Sequence, residues 1–180
     1  DITRVILAGN GEEVTYTATA TDLVDGNTAV TCTPASGFDF PVGTTTVHCS
    51  STDAHGNTAT GTFKVTVRGT FPPFVIATVA NPSILTPADG RMVNVTVGVV
   101  AVDLTDPHPV STITNVVSNQ PNTGPGPDIV VTGALTLQLR ASRTNNQTRV
   151  YTITVQTVDA GGLATISTTQ VFVVPGFGHH

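Results

Sequence analysis

Apolar and polar residues alternate with a period of two along most of the chain. In "EEVTYTATAT", Val14, Tyr16, Ala18 and Ala20 fall on one face and Thr15, Thr17, Thr19 and Thr21 on the other. That is the pattern of a strand with one wet face. "GTFKVTV" puts Phe63, Val65 and Val67 inward and Lys64 outward, and "TVHCSS" puts Val47 and Cys49 inward and His48 outward. Residues 68–74, "RGTFPPF", break the pattern. Pro72 and Pro73 cannot donate ladder hydrogen bonds, so a short, semi-rigid linker is expected there. Further strands are expected near 74–80, 92–102, 111–118, 134–140, 148–158 and 163–174. The Pro and Gly content of "SNQPNTGPGPDI", residues 118–129, excludes helix and central strand and predicts a long exposed loop. Short strands at this spacing, without helical periodicity, predict an all-β chain built as a β-sandwich.

The two halves echo each other. "ATATDLVDG" is matched by "GVVAVDLTDP", and "VHCSSTDAHGNTATGTFKVTV" by "ITVQTVDAGGLATISTTQVFVV". The chain therefore reads as two tandem sandwiches, residues 1–69 and 70–175, the second with longer insertions. Residues 176–180 form a tail ending in two histidines, expected to be a purification-tag remnant on a segment of a larger protein. A length of 180 residues is comfortable for two domains of about 70 to 110 residues each.

Composition supports the same class. Thr and Val are abundant, Trp is absent and Met occurs once. β-Branched residues suit a pleated, half-buried surface and lose rotamer freedom in helices. Charged residues make up 11% of the chain and the net charge is -5. Nucleic acid or anionic lipid would need clustered Lys and Arg, so neither is an expected partner. No apolar run reaches the roughly 18 residues of a membrane span. Cys32 and Cys49 are the two cysteines, both at inward positions of strand-like stretches. They are read as a disulfide, which places the protein in an oxidising, extracytoplasmic compartment; two buried thiols are the alternative.

Residues 12–67 resemble the HYR (hyalin repeat) module. The likeness rests on the spacing around Cys32 and Cys49 in "CTPASGFDFPVGTTTVHC" and on "TDAHGN". Residues 72–174 look like a second immunoglobulin-like domain of bacterial secreted or surface proteins, through "RMVNVTV", "LRASR" and "RVYTITVQTVDAGG". The resemblance implies two immunoglobulin-like (fibronectin type III-like) sandwiches and extracellular adhesion or structural spacing rather than catalysis.

The residues were weighed for chemistry on their own terms. Asp22 and Asp25 in "TDLVDG" form a repeated acidic pair with Asp103 and Asp106 in "VDLTDP". A catalytic acid pair belongs in a concave, desolvated site, whereas these fall in turns. No G-x-S-x-G, H-E-x-x-H or phosphate-binding Gly loop occurs. His48, His55 and His108 are too dispersed in the sequence to predict zinc. Carbohydrate platforms are not evident, although Phe38 and Phe40 could form a small patch or pack beneath their loop. The second half lacks Lys, which excludes Lys-to-Asn cross-links there. Asn94 and Asn146 head glycosylation sequons, relevant only in a eukaryotic secretory host.

Calcium is the one ion for which a case exists. In an immunoglobulin-like sandwich the turns after the second and penultimate strands share a pole. Asp22, Asp25 and Asp53 are then expected to converge in the first domain, and Asp103, Asp106 and Asp159 in the second, the latter facing the domain junction. Oxygen ligands from several loops suit Ca²⁺, but Asp also ends strands by accepting turn amide hydrogen bonds, with no ion needed. No cofactor is otherwise expected. The reading is a non-catalytic spacer, stalk or adhesion segment of a secreted or cell-surface protein. Its expected partners are neighbouring domains, cell-surface or matrix ligands, or other copies of itself. An accessory carbohydrate- or surface-binding module of a secreted enzyme, or a fibre-forming subunit, is the alternative.

Overall fold

The computed structural model describes residues 1–144 and 146–175, and it is all strand and loop. The tail expected at 176–180 lies outside the described residues. Two compact units are present. The first comprises Asp1–Pro72 with the loops Leu104–Pro107 and Asp159–Leu163; the second comprises Pro73–Asp103, His108–Val158 and residues 164–175.

The first unit contains β1 (Ile2–Ile6), β2 (Gly11–Val14), β3 (Ala20–Asp22), β4 (Gly26–Thr28), β5 (Val30–Thr33), β6 (Phe38–Pro41), β7 (Gly43–Thr52) and β8 (Thr58–Gly69). One sheet runs β1-β8-β7-β5, with β1 parallel to β8; β2 pairs with β6, and β3 with β4. Ile6, Val14, Phe40, Val47, Val65 and Val67 form its buried core, with Tyr16, Phe63 and the two cysteines half-buried against it. Burial follows the alternation read from the sequence, and Lys64 and His48 face water as expected.

The segment expected as one continuous strand from Glu12 to Thr21 is interrupted, since residues 15–19 make no ladder. Its inward residues remain half-buried, but the backbone of Tyr16 pairs with a side chain instead. Ser36 Oγ accepts from the Tyr16 amide at 2.8 Å and donates to the Tyr16 carbonyl at 2.8 Å. Alternation reports which face is buried; it does not report which partner satisfies the backbone.

Cys32 and Cys49 form a disulfide. They sit directly opposite each other on antiparallel β5 and β7, so the bridge ties neighbouring strands of one sheet. A six-residue buried apolar core is small, and a covalent cross-link is the usual supplement in such domains.

The second unit contains β9 (Phe74–Asn81), β10 (Ile84–Leu85), β11 (Met92–Val102), β12 (Val110–Ser118), β13 (Ile129–Gly133), β14 (Thr136–Arg140), β15 (Arg149–Val158) and β16 (Ala164–Val173). Two four-stranded sheets, β10-β16-β15-β12 and β13-β14-β11-β9, enclose a larger core. Val95, Val97, Leu137 and Leu139 from one sheet meet Tyr151, Ile153, Val155, Val171 and Val173 from the other. As in the first unit, a short strand, β10, adds in parallel to the final strand, β16. β10 and β13 lie outside the expected strands. β10 is only two residues long, and β13 follows directly on the Pro- and Gly-rich loop, where periodicity has little length to register.

Candidate functional site

The acidic turns occupy the places the repeat predicted, and each is built from local backbone chemistry. β3 and β4 form a tight hairpin in which Asp22 pairs with Gly26. Asp22 Oδ1 accepts from the amides of Val24 at 2.7 Å and Asp25 at 3.0 Å, so this carboxylate is spent on its own turn. Gly26 adopts φ +73°, a left-handed conformation that glycine takes without a steric penalty. Leu23 and Val24 stand fully out in solvent at the tip.

Asp25 reaches across to the turn that follows β7. Its Oδ2 accepts from the Ala54 amide at 3.2 Å and lies 3.2 Å from His55 Nδ1. Asp53 organises that second turn. Its Oδ1 accepts from the amides of His55 at 2.9 Å and Asn57 at 2.8 Å, and its Oδ2 accepts from Asn57 Nδ2 at 2.7 Å. The Asn57 side-chain bond, then the Asn57 amide, hold the Asp53 carboxyl below its ordinary pKa, against a smaller opposing effect of desolvation. Asp25, Asp53 and His55 each place a ligand-type atom within 4.8 Å of the others. Of the expected trio Asp22, Asp25 and Asp53, the turn geometry thus groups Asp25 with Asp53 and adds His55, which was not among the expected calcium ligands. Its signal was its position two residues after Asp53.

The same construction recurs in the Asp106 and Asp159 loops. Asp106 Oδ2 accepts from the Ala160 amide at 2.9 Å, as Asp25 does from Ala54. Asp159 Oδ1 accepts from the Leu163 amide at 2.8 Å, as Asp53 does from Asn57. Gly56 and Gly162 carry φ of +89° and +88° at matching positions. Asp103 belongs to the second unit, whereas Asp106 and Asp159 lie in loops of the first.

Other predicted residues are dispersed. His48 is exposed on β7 and His108 is exposed in its loop. Phe40 is fully buried, and Phe38 packs edge-on against it at 5.2 Å while remaining 46% exposed. Asn94 is exposed on β11 and accepts from Gln138 Nε2 at 2.9 Å, and Asn146 is an exposed loop residue at φ +55°. Grooves of about 240 and 440 Å³ beside the disulfide are lined mainly by Thr, Ala, Ser and Gly, with His48 the one side chain among their lining residues suited to acid–base chemistry.

The densest polar cluster escaped sequence reading. Asp128 is buried at the end of the Pro- and Gly-rich loop, where an exposed residue was expected. Its Oδ2 accepts from Arg149 Nη1 at 2.7 Å and from the Thr123 amide at 2.8 Å, and its Oδ1 accepts from Arg140 Nε at 2.6 Å. Arg149 is itself fully buried; it also donates to Ser118 Oγ at 2.8 Å and to the Gln120 carbonyl at 3.3 Å, and lies 4.7 Å from the Tyr151 ring centre. Burial disfavours ionised Asp128, but hydrogen bonds from Arg149, Thr123 and Arg140 outweigh it and hold its pKa below the ordinary value. Burial pushes the Tyr151 hydroxyl up to about 12, with Arg149 opposing. The available signal was Arg149 itself, which occupies the inward phase of "RVYTITV" together with Tyr151 and Ile153.

Residues 2–67 match the HYR domain model, somewhat more than a third of the chain. No curated protein sequence matches the chain. Among solved structures, the chain is similar to PcdhgB3 EC1-4 in 50 mM HEPES, with 11% identity, 98% of this chain and 48% of that one covered, and a TM-score of 0.29. It is also similar to the human desmocollin-1 ectodomain, with 14% identity, 97% and 35% coverage, and a TM-score of 0.25. The protocadherin gammaB4 extracellular domain gives 12% identity, 93% and 30% coverage, and a TM-score of 0.27. The chain spans less than half the length of each.

Proposed function

We propose that this chain is a non-catalytic structural segment of an extracellular protein, serving as a spacer or stalk that carries adhesive or other domains. The observation that carries the reading is the HYR match over residues 2–67 on an all-strand unit cross-linked by the Cys32–Cys49 disulfide. A disulfide in a small domain belongs to an oxidising compartment. No helix among the described residues is long and apolar enough to cross a membrane.

The surface supports spacing over ligand capture. The wet side of the β7–β8 ladder carries Thr pairs: Thr44 bonds Thr66 at 3.0 Å and Thr52 bonds Thr58 at 2.9 Å. Such cross-strand pairs stiffen a sheet without creating a binding pocket. Among the described residues, the exposed aromatic side chains are scattered, with Phe38 on β6, Phe71 in the interruption and Phe74 on β9, so they form no platform row along one sheet.

Sedimentation velocity combined with pull-down on insoluble polysaccharides tests the reading. A monomer that stays in the supernatant is expected. Retention on a polysaccharide would replace the spacer with an accessory binding module, and concentration-dependent polymers would replace it with a fibre subunit.

A further inference from the structure

We infer that the Asp159 turn is a calcium site, with Asp159 and Asp106 as its protein carboxylates. The argument begins from the near-identity of the two Asp-Gly turns. In both, the Asp amide donates to the carbonyl four residues on at 3.0 Å, and the left-handed glycine amide donates back to the Asp carbonyl, at 3.2 Å for Gly56 and 3.1 Å for Gly162. In both, Asp Oδ1 takes the amide of the fourth residue.

The turns differ at that fourth residue. In the first, Asn57 Nδ2 donates to Asp53 Oδ2, which completes the carboxylate. In the second, the position is Leu163, whose side chain has no donor, and Asp159 Oδ2 is buried without a hydrogen-bond partner. Asp159 is 5% exposed, so bulk water does not replace the missing amide. A buried carboxylate oxygen with no partner is costly and calls for a ligand. The Asp106 carboxylate binds the amide of Ala160, the residue next to Asp159, so two carboxylates flank one turn.

The donor set is all oxygen, with no imidazole, because His55 of the first turn is replaced by Gly161. Hard oxygen ligands select Ca²⁺ over the nitrogen- and sulfur-preferring transition ions. Two carboxylates with carbonyls and water completing six to eight ligands correspond to a weak site, in the range of about 10⁻⁴ to 10⁻³ M seen in extracellular modules.

The test is calcium titration of the whole chain after EDTA treatment, read by calorimetric binding and by thermal unfolding. Millimolar Ca²⁺ is expected to bind and to raise the Tm by about 5 °C. Asp159→Asn is expected to abolish both effects. Leu163→Asn supplies the amide of the first turn: it is expected to raise the ion-free Tm and to remove the calcium response. Absence of any calcium response in the parent chain overturns the proposal and leaves the oxygen to a proton or a trapped water. A response that survives both variants but is lost in Asp25→Asn or Asp53→Asn also overturns it, because the ion would then sit in the first turn.

Discussion

Arg149 Nη1 donates to Asp128 Oδ2 at 2.7 Å, and both side chains are completely buried. The pair closes the Pro- and Gly-rich loop onto β15, since Thr123, Gln120 and Ser118 in or beside that loop all bond to Asp128 or Arg149. Removing Asp128 strands the buried Arg149 charge, and removing Arg149 leaves buried Asp128 with Arg140 as its remaining ion-pair partner. Arg149→Met or Asp128→Asn is therefore expected to cost about 3–5 kcal/mol. Urea unfolding measures it. The double replacement Arg149→Met with Asp128→Leu is expected to cost less than the sum of the single losses, because the buried Arg149–Asp128 pair is removed together, leaving Arg140 as the one charge that loses its partner.

The same carboxylate predicts an acid transition. The folded pKa of Asp128 lies below its unfolded value, so its stabilisation is complete above the ordinary carboxylate pKa. It is lost as pH falls through the lower, folded value. Unfolding free energies measured from pH 5 downward are expected to fall in the parent chain. Asp128→Asn, already less stable, is expected to show a flatter dependence over that range.

At the alkaline end the sign reverses. Burial raises the Tyr151 hydroxyl to about 12 in the folded chain, above its ordinary value of 10.0. The stability this contributes is complete below the unfolded pKa and is lost as pH rises from there through the folded one. Ultraviolet titration of the phenols is expected to show Tyr151 ionising late. Tyr151→Phe should remove that step, and with it the hydroxyl's 2.9 Å bond to the Arg140 carbonyl.

The disulfide closes a separation of 17 residues. A loop of this size stabilises by about 3 kcal/mol in the chain-entropy account. Replacing Cys32 and Cys49 together by Ser is expected to lower unfolding stability by about that amount. Unreduced and reduced mass spectra of the parent chain should differ by the two hydrogens of one bridge.

In the first Asp turn, Asn57→Leu recreates the arrangement at Leu163. Loss of the Asn57 amide removes the largest influence lowering the Asp53 pKa. A carboxyl NMR titration is expected to show Asp53 moving up towards its ordinary value, with some loss of thermal stability.

The inward faces of β7 and β8 were legible because a strand with one wet face repeats every two residues, and Val, Thr and Phe mark that period. The repeated acidic turns were legible because strand exits need Asp and Gly for local backbone reasons. The side-chain bond that interrupts residues 15–19 was not, since Ser36 lies twenty residues from Tyr16.

By itself the sequence determined the all-β class, the buried faces of β7 and β8 and the position of both acidic turns, all of which follow from short-range periodicity and turn chemistry. Tertiary structure decided which carboxylates are satisfied. Asn57 completes Asp53 locally and Leu163 cannot do the same for Asp159, but only the packing that leaves Asp159 5% exposed keeps bulk water from its bare oxygen. It also made Asp128 a core residue, because its partners Arg140 and Arg149 lie 12 and 21 residues away and meet it only when the sheets close. Hydrogen-bond satisfaction in a β-sandwich depends on such distant neighbours.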